Sequence, residues 1–221
     1  MSGPAAVDLA WGAVRYAAVT TRLDGRGWDM SSGSSGDLDA LLRVTSPTYM
    51  GDRHPDVAFG VHDGPVGRLI LAVSGRGVAA CSYEDENVVF ERVARSVSSF
   101  IGPDPRRLDP VRRELDAYFS GRLRAFTTTV DLQLATPFAR TVLQMMLAVP
   151  YGTVTTYREI AERIGRPRAL RAVGNALGAN PVCVIVPCHR VVESEDVLGG
   201  YAGGTVAKER LLRVEKRNRP R

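Results

Sequence analysis

The sequence predicts an α+β protein built from two units in series, behind an N-terminal stretch with no convincing element of its own. Three observations predict it. Two short apolar runs separated by a turn, residues 69–73 and 77–83, read as a strand hairpin. Helical spacing follows them, and past Thr136 it dominates, with two short helices joined by a Gly-containing turn as in a helix-turn-helix. A last apolar run, residues 182–186, leads into Pro187-Cys188-His189-Arg190, where chemistry-bearing residues gather.

The expected boundaries are 1–55, 56–132 and 133–221. The first segment contains Ser31-Ser32-Gly33-Ser34-Ser35-Gly36, a flexible-linker composition, and reads as a disordered extension or a small appended module. In the second segment the run 69–73 has the apolar character of a buried strand and is closed by Ser74-Gly75. Its hairpin partner, 77–83, carries Cys81 as a small buried hydrophobe. Apolar residues at 88, 89, 90, 93, 97 and 100 predict a helix over 88–100. Asp109-Pro110 supplies a cap and a first-position proline, predicting a further helix from there to Phe119, stopped by Ser120-Gly121.

The third segment opens with Thr136-Pro137 and a helix that sets Phe138, Val142, Leu143, Met146 and Leu147 on one face. Thr156-Tyr157-Arg158-Glu159 is a capping box, in which the Thr hydroxyl takes a backbone N–H while Glu reaches back. It predicts a short helix over 157–164. Gly165-Arg166-Pro167 then turns the chain into a second helix over 168–177, ended by Gly178-Ala179-Asn180-Pro181. This second helix is rich in small residues (Ala169, Ala172, Gly174, Ala176), which would let its backbone lie close to a groove wall or pack tightly in a core. A final helix over 206–214 is seated by Ala207, Leu211 and Leu212.

Bulk properties exclude several classes. The chain has 221 residues, 44% of them hydrophobic, enough for one large domain or two small ones. It shows no secretory signal and nothing near the roughly 20 apolar residues of a membrane span, which predicts a cytoplasmic protein. Three cysteines do not make a disulfide framework, and His54, His62 and His189 do not fall at metal-ligand spacings, so neither disulfide nor metal is expected. Charge is unevenly placed. Residues 1–138 hold 15 Arg against 17 acids, a net of −2; residues 139–221 hold 14 basic against 7 acidic residues, a net of +7. Localised positive charge suits a polyanion-binding surface, although an ordinary solvated surface has the same composition.

Cys188 follows directly on the apolar run, so its thiol is offered to a ligand from a rigid base. A thiol is mostly protonated at neutral pH and must be activated. An imidazole can take its proton, and a carboxylate on the other ring nitrogen can orient that imidazole. His189 is the adjacent candidate, though neighbours in a strand point to opposite faces. Glu215 lies one turn beyond Leu211 and can point inward; spacing alone favours a surface acid there. Between them stands the loop Gly199-Gly200-Tyr201-Ala202-Gly203-Gly204, able to bring backbone amides and one aromatic against a flat ligand. Cys183, on the run into the site, reads as buried packing.

These residues together resemble the O6-alkylguanine-DNA alkyltransferases, the methylated-DNA–protein-cysteine methyltransferases, over roughly residues 57–215. The matching blocks are Tyr151-Gly152-Thr153-Val154-Thr155-Thr156-Tyr157, Arg171-Ala172-Val173-Gly174, Asn180-Pro181, Ile185-Val186-Pro187-Cys188-His189-Arg190-Val191-Val192, Gly200-Tyr201-Ala202-Gly203-Gly204, and Lys208 with Leu211, Leu212 and Glu215. The resemblance implies an RNase H-like N-terminal α/β unit followed by a winged helix-turn-helix DNA-binding domain that carries the reactive cysteine.

It also implies roles. Cys188 would accept the alkyl group irreversibly, made a thiolate through a water and His189, with Glu215 orienting the imidazole. Tyr157 and Arg171 would flip the nucleotide, Tyr157 crowding its phosphate and Arg171 entering the stack. Asn180 would tie the helix-turn-helix to the active-site segment. Tyr201 would donate to the purine and Lys208 would order the site. The Cys188 and Val191 carbonyls would accept from the exocyclic amine, with Ala202 and Gly203 beside the base. One monomer would repair one O6-alkylguanine in double-stranded DNA, with O4-alkylthymine as a further candidate substrate, and no cofactor. The match is looser before Tyr151, and residues 1–55 have no counterpart. No cysteine precedes Cys81, so the four-cysteine metal module of the family's regulatory members is not expected. Two other readings, a non-catalytic lesion-binding relative and a plain winged-helix transcription factor, leave Cys188 or its partners without a use.

Overall fold

The computed structural model describes residues 54–194 and 197–219. The expectation for residues 1–55 therefore lies almost wholly outside the described residues. Three strands open the fold: β1 (Val57–Gly64), β2 (Gly67–Ser74) and β3 (Gly77–Ser82), joined antiparallel by tight turns. A short β4 (Ile101–Gly102) adds parallel to β1, giving the order β3-β2-β1-β4. Residues 69–73 are apolar throughout because both sheet faces are covered. Leu69, Leu71 and Val73 enter the large core, whereas Ile70 and Ala72 face Val89, Phe90 and Val93 of α1 (Glu86–Ser96).

Two helix boundaries differ from the sequence expectation. Helix α1 is capped by Asp85, which accepts from Asn87 N at 2.8 Å, and it ends at Ser96 rather than at Phe100. Ser98 Oγ takes the Phe100 amide and donates to Asp56, a local turn that outcompetes another helical turn and delivers Ile101 to the sheet. Helix α2 (Pro105–Phe119) starts at Asp104-Pro105, not at Asp109-Pro110. The same Asp-Pro signal occurs twice, and the earlier copy wins because Asp104 caps the Arg106 amide at 3.1 Å. Pro110 lies inside the helix and forfeits one backbone bond near its N-terminal end. The stripe Leu108, Val111, Leu115 and Tyr118 is buried.

In the second unit α3 (Pro137–Leu147) is capped by Thr136 and buries Ala139, Val142, Leu143 and Met146. Leu147, expected on that face, is 49% exposed, since the buried stripe runs one position earlier. Strand β5 (Thr155–Thr156) leads into α4 (Tyr157–Arg163) through the expected capping box. The turn at Gly165 (φ +70°) follows, then α5 (Leu170–Gly178). These make the helix-turn-helix; β6 (Val191–Val192) pairs parallel with β5 to form its small sheet. Helix α6 (Gly204–Arg217) closes the fold. No helix among the described residues is long and apolar enough to cross a membrane.

The run 182–186 is not a strand. Only its start pairs with the sheet: Cys81 N donates to Pro181 O at 2.8 Å and Cys183 N to Cys81 O at 2.7 Å, hanging the segment on the outer edge of β3, which residues 129–131 share at Val78. Val184 then takes φ +71° and Val186 N returns to Val182 O at 2.9 Å, a compact turn. Its apolar residues are explained by burial, because the segment sits where the two units share one core.

Candidate active site

Cys188 opens a short 3-10 turn (Cys188–Arg190). This turn resolves the adjacency problem, since successive side chains there need not alternate as in a strand. Cys188, His189 and Arg190 are all buried. Asn180, just past α5, reaches both sides of the segment: Nδ2 lies 3.0 Å from Cys188 Sγ and 3.2 Å from Val186 O, while Oδ1 accepts from Val182 N at 3.0 Å. Cys183 Sγ is 3.5 Å from Asn180 O. The neighbouring Cys183 does most to hold the Cys188 thiol below its ordinary pKa; burial opposes it, and the Asn180 amide and Lys208 charge add to it. Cys183 is correspondingly pushed up. Cys183 is thus buried as expected, but it also serves the thiol.

Behind the thiol, His189 is wholly buried. Its Nε2 stands 2.9 Å from Glu215 Oε1, while Nδ1 has no hydrogen-bond partner among the described residues. Burial holds the imidazole below its ordinary pKa, against the pull of Glu215. Glu215 is 1% exposed, so the surface-acid alternative does not hold. Burial alone would raise its pKa; His189 and Arg190 overcome that and bring it to about 2. Arg190 Nε lies 3.1 Å from both Glu215 oxygens, and Gly152 N donates to Oε2 at 2.9 Å. Gly152 has φ +73°, a conformation that suits glycine and aims this N–H at the carboxylate.

Two of these partners escaped the sequence reading. Arg190 is in the Pro-Cys-His-Arg run, but nothing in the run indicates that it pairs with Glu215. Tyr118, on α2 of the first unit, donates to Glu215 Oε1 and lies 3.1 Å from His189 Nε2. The only signal for it was its place in the stripe Leu108, Val111, Leu115, which reads as core.

In front of the thiol lies a cavity of about 300 Å³. Gly174, Leu177 and Gly178 of α5 form one wall and Gly200, Tyr201 and Ala202 another, with Tyr157 and Cys188 completing it. The small residues of α5 thus make room, and Gly178 has open space where a side chain would stand. Lys208, fully buried on α6, binds the Val191 carbonyl at 2.6 Å, Gly200 O at 3.2 Å and Leu198 O, and so pins the glycine loop to β6. The Cys188 carbonyl accepts from Val191 N. Tyr201 packs edge-on to His189 at 6.2 Å and to Tyr83 at 5.6 Å. Gly203 is not among the lining residues; it rests on Tyr83, where an added Cβ would come within 2.7 Å of the ring. Arg171 is exposed on α5, outside the cavity.

Fold and site define a helix-turn-helix protein whose buried cysteine, backed by a histidine and a glutamate, opens onto a cavity beside the second helix. Residues 57–132 match the family model described as the ribonuclease-like domain of 6-O-methylguanine DNA methyltransferase, and residues 137–217 match that of its DNA-binding domain. The chain belongs to the methylated-DNA–protein-cysteine methyltransferases. It is 37% identical over 163 residues to the Methanosarcina barkeri protein of that name, covering 72% of this chain and 98% of that one. It is 39% identical over 158 residues to the Mycobacterium tuberculosis one, covering 72% and 92%. The structure of M. tuberculosis O6-methylguanine methyltransferase superimposes with a TM-score of 0.64 at 37% identity, covering 74% and 95%. The same organism's protein in complex with DNA gives 0.63 at 38% identity, covering 74% and 96%. The second unit is a DNA-binding domain, and DNA is the macromolecular partner.

Proposed function

We propose that this protein repairs DNA by direct reversal, moving the alkyl group of O6-alkylguanine irreversibly to Cys188. The observation that carries the reading is Cys188 at the wall of a cavity beside α5, its Sγ 3.0 Å from the Asn180 amide nitrogen, with a His189–Glu215 pair behind it. The target atom lies inside the duplex, so the nucleotide must be extruded, at a cost of a few kcal/mol. Arg171, exposed on α5, fills the vacated stack; Tyr157, at the cavity wall, crowds the phosphate. The base enters between α5 and the glycine loop, against the Tyr201 hydroxyl, the Ala202 and Gly203 backbone, and the Cys188 and Val191 carbonyls.

The thiol proton passes through a water to His189 Nδ1, and Glu215 stabilises the imidazolium. Sγ then attacks the alkyl carbon, the carbon–O6 bond breaks, and O6 keeps the electron pair while Tyr201 donates to the purine. Asn180 and Lys208 hold the segments on either side. The thioether is stable, so each molecule acts once. On this reading residues 56–132 and 133–221 are the two domains, and the protein works as a cytoplasmic monomer without a cofactor.

Intact-mass analysis after incubation with a duplex containing O6-methylguanine tests it. The expected result is one added methyl on the peptide holding Cys188, and none in Cys188→Ala. An unchanged wild-type mass would sink the reading. A parallel duplex with O4-methylthymine shows whether that lesion is also a substrate.

A further inference from the structure

The pair behind Cys188 is completed from the other unit of the molecule. Tyr118 sits in the last turn of α2 and is fully buried. We propose that Tyr118 is a positioning residue for alkyl transfer: its hydroxyl braces Glu215 Oε1 and His189 Nε2, fixing the imidazole in the tautomer whose Nδ1 can accept the thiol proton. The inference rests on Cys188 being the alkyl acceptor.

The hydrogen bonds leave little choice. The Tyr118 hydroxyl has one proton, and Glu215, an ionised acceptor, takes it. The oxygen lone pair is then what faces Nε2 at 3.1 Å, beside Glu215 Oε1 at 2.9 Å. Both neighbours of Nε2 are acceptors, so the ring hydrogen belongs on Nε2 and Nδ1 is left bare. The ring of Tyr118 cannot swing away. It meets Phe126 at 5.0 Å, Tyr151 at 6.0 Å and the His189 ring itself at 6.4 Å. The other buried members of its stripe are Leu108, Val111 and Leu115, and packing alone would be served by a fourth hydrocarbon. A hydroxyl here costs desolvation, and it is used on the two side chains of the relay.

The charged and titratable groups around this cluster come from five further segments. Cys188 and Arg190 lie on the 3-10 turn, and Lys208 and Glu215 on α6. Tyr151 approaches from the turn before β5, with the Arg124 charge beside it, and Tyr201 from the glycine loop. Arg190 and Lys208 disfavour an imidazolium and Glu215 favours it. The balance therefore depends on where Glu215 is held.

The test uses full-length wild type and Tyr118→Phe, with iodoacetamide and free O6-benzylguanine as probes of Cys188 across pH. The variant should react slower by roughly tenfold or more near neutrality, as when an orienting partner of a functional histidine is removed. The acid limb of its pH–rate profile should rise by roughly one unit, the same tenfold in thiolate fraction, with rates converging in alkali and duplex affinity unchanged. A folded variant with wild-type rate and limb overturns the proposal, and so does an equal slowing at every pH. If the variant does not fold, heteronuclear NMR of wild-type His189 still decides: an Nε2–H proton in contact with the Tyr118 hydroxyl proton is expected, and an Nδ1–H tautomer overturns the proposal. Wild type that reacts with iodoacetamide but never with O6-benzylguanine or damaged duplex would instead count against the acceptor reading.

Discussion

Glu215 accepts from Tyr118, His189, Arg190 and Gly152 together, and the fold depends on its charge. Its pKa falls from 4.5 to about 2 on folding. A carboxylate so depressed contributes stability that is complete above its unfolded pKa of 4.5 and is lost as pH falls toward 2. The size is on the order of 3 kcal/mol for a group buried this fully. His189 acts in the same direction. Its pKa is depressed below 6.5, so acid must either leave it neutral in the fold or unfold the chain to protonate it. Stability should therefore decline from about pH 6.5 downward and more steeply below 4.5. Glu215→Gln should be less stable at neutral pH and show a flatter acid limb in thermal melts. A parallel pair of curves would mean that Glu215 is not the group titrating.

Helix α5 does its work by dividing its outward face between space and charge, with Val173 and Ala176 buried behind. Gly174, Leu177 and Gly178 line the cavity, whereas Arg171 is exposed at the helix's start. This division predicts a split between substrates. Arg171→Ala should slow repair in duplex DNA strongly, because nothing fills the stack when the nucleotide leaves. The loss with free O6-benzylguanine should be much smaller, since a free base needs no flipping. Single-turnover rates on the two substrates measure this, and equal losses would remove Arg171 from the flipping step. The element was legible from small residues after a Gly-containing turn. Its exact partner surfaces were not, because the same small residues also suit tight packing, and Val173, Ala176 and Leu177 are in fact buried in the core.

Across the whole molecule, the excess of positive charge lies in the second unit, net +7 over residues 139–221 against −2 for the rest. Arg166, Arg168 and Arg171 are exposed around the helix-turn-helix. Duplex affinity should fall linearly on a log–log plot against salt, and each Arg→Ala at Arg166 or Arg168 should reduce the slope by roughly one where a phosphate contact is lost. An unchanged slope in both variants would place the DNA elsewhere. The two units are joined by one continuous core and by the β3 edge that carries residues 181–183. What the sequence determined by itself was local or repeated: the β2–β3 hairpin, the capping box at Thr156, the cysteine with its histidine, and the loop around Tyr201. Each rests on neighbours within a few residues, so its pattern survives in one dimension. Tertiary structure decided the rest. Residues 182–186 look like a strand because they are apolar, yet they are apolar because two units bury them, and a turn at Val184 breaks the pairing. Glu215 reads as a surface acid until Tyr118, 97 residues away along the chain, is placed against it. That contact has no local signal, because a tyrosine in a buried helical stripe is the same letter whether its hydroxyl is idle or holds the relay behind Cys188.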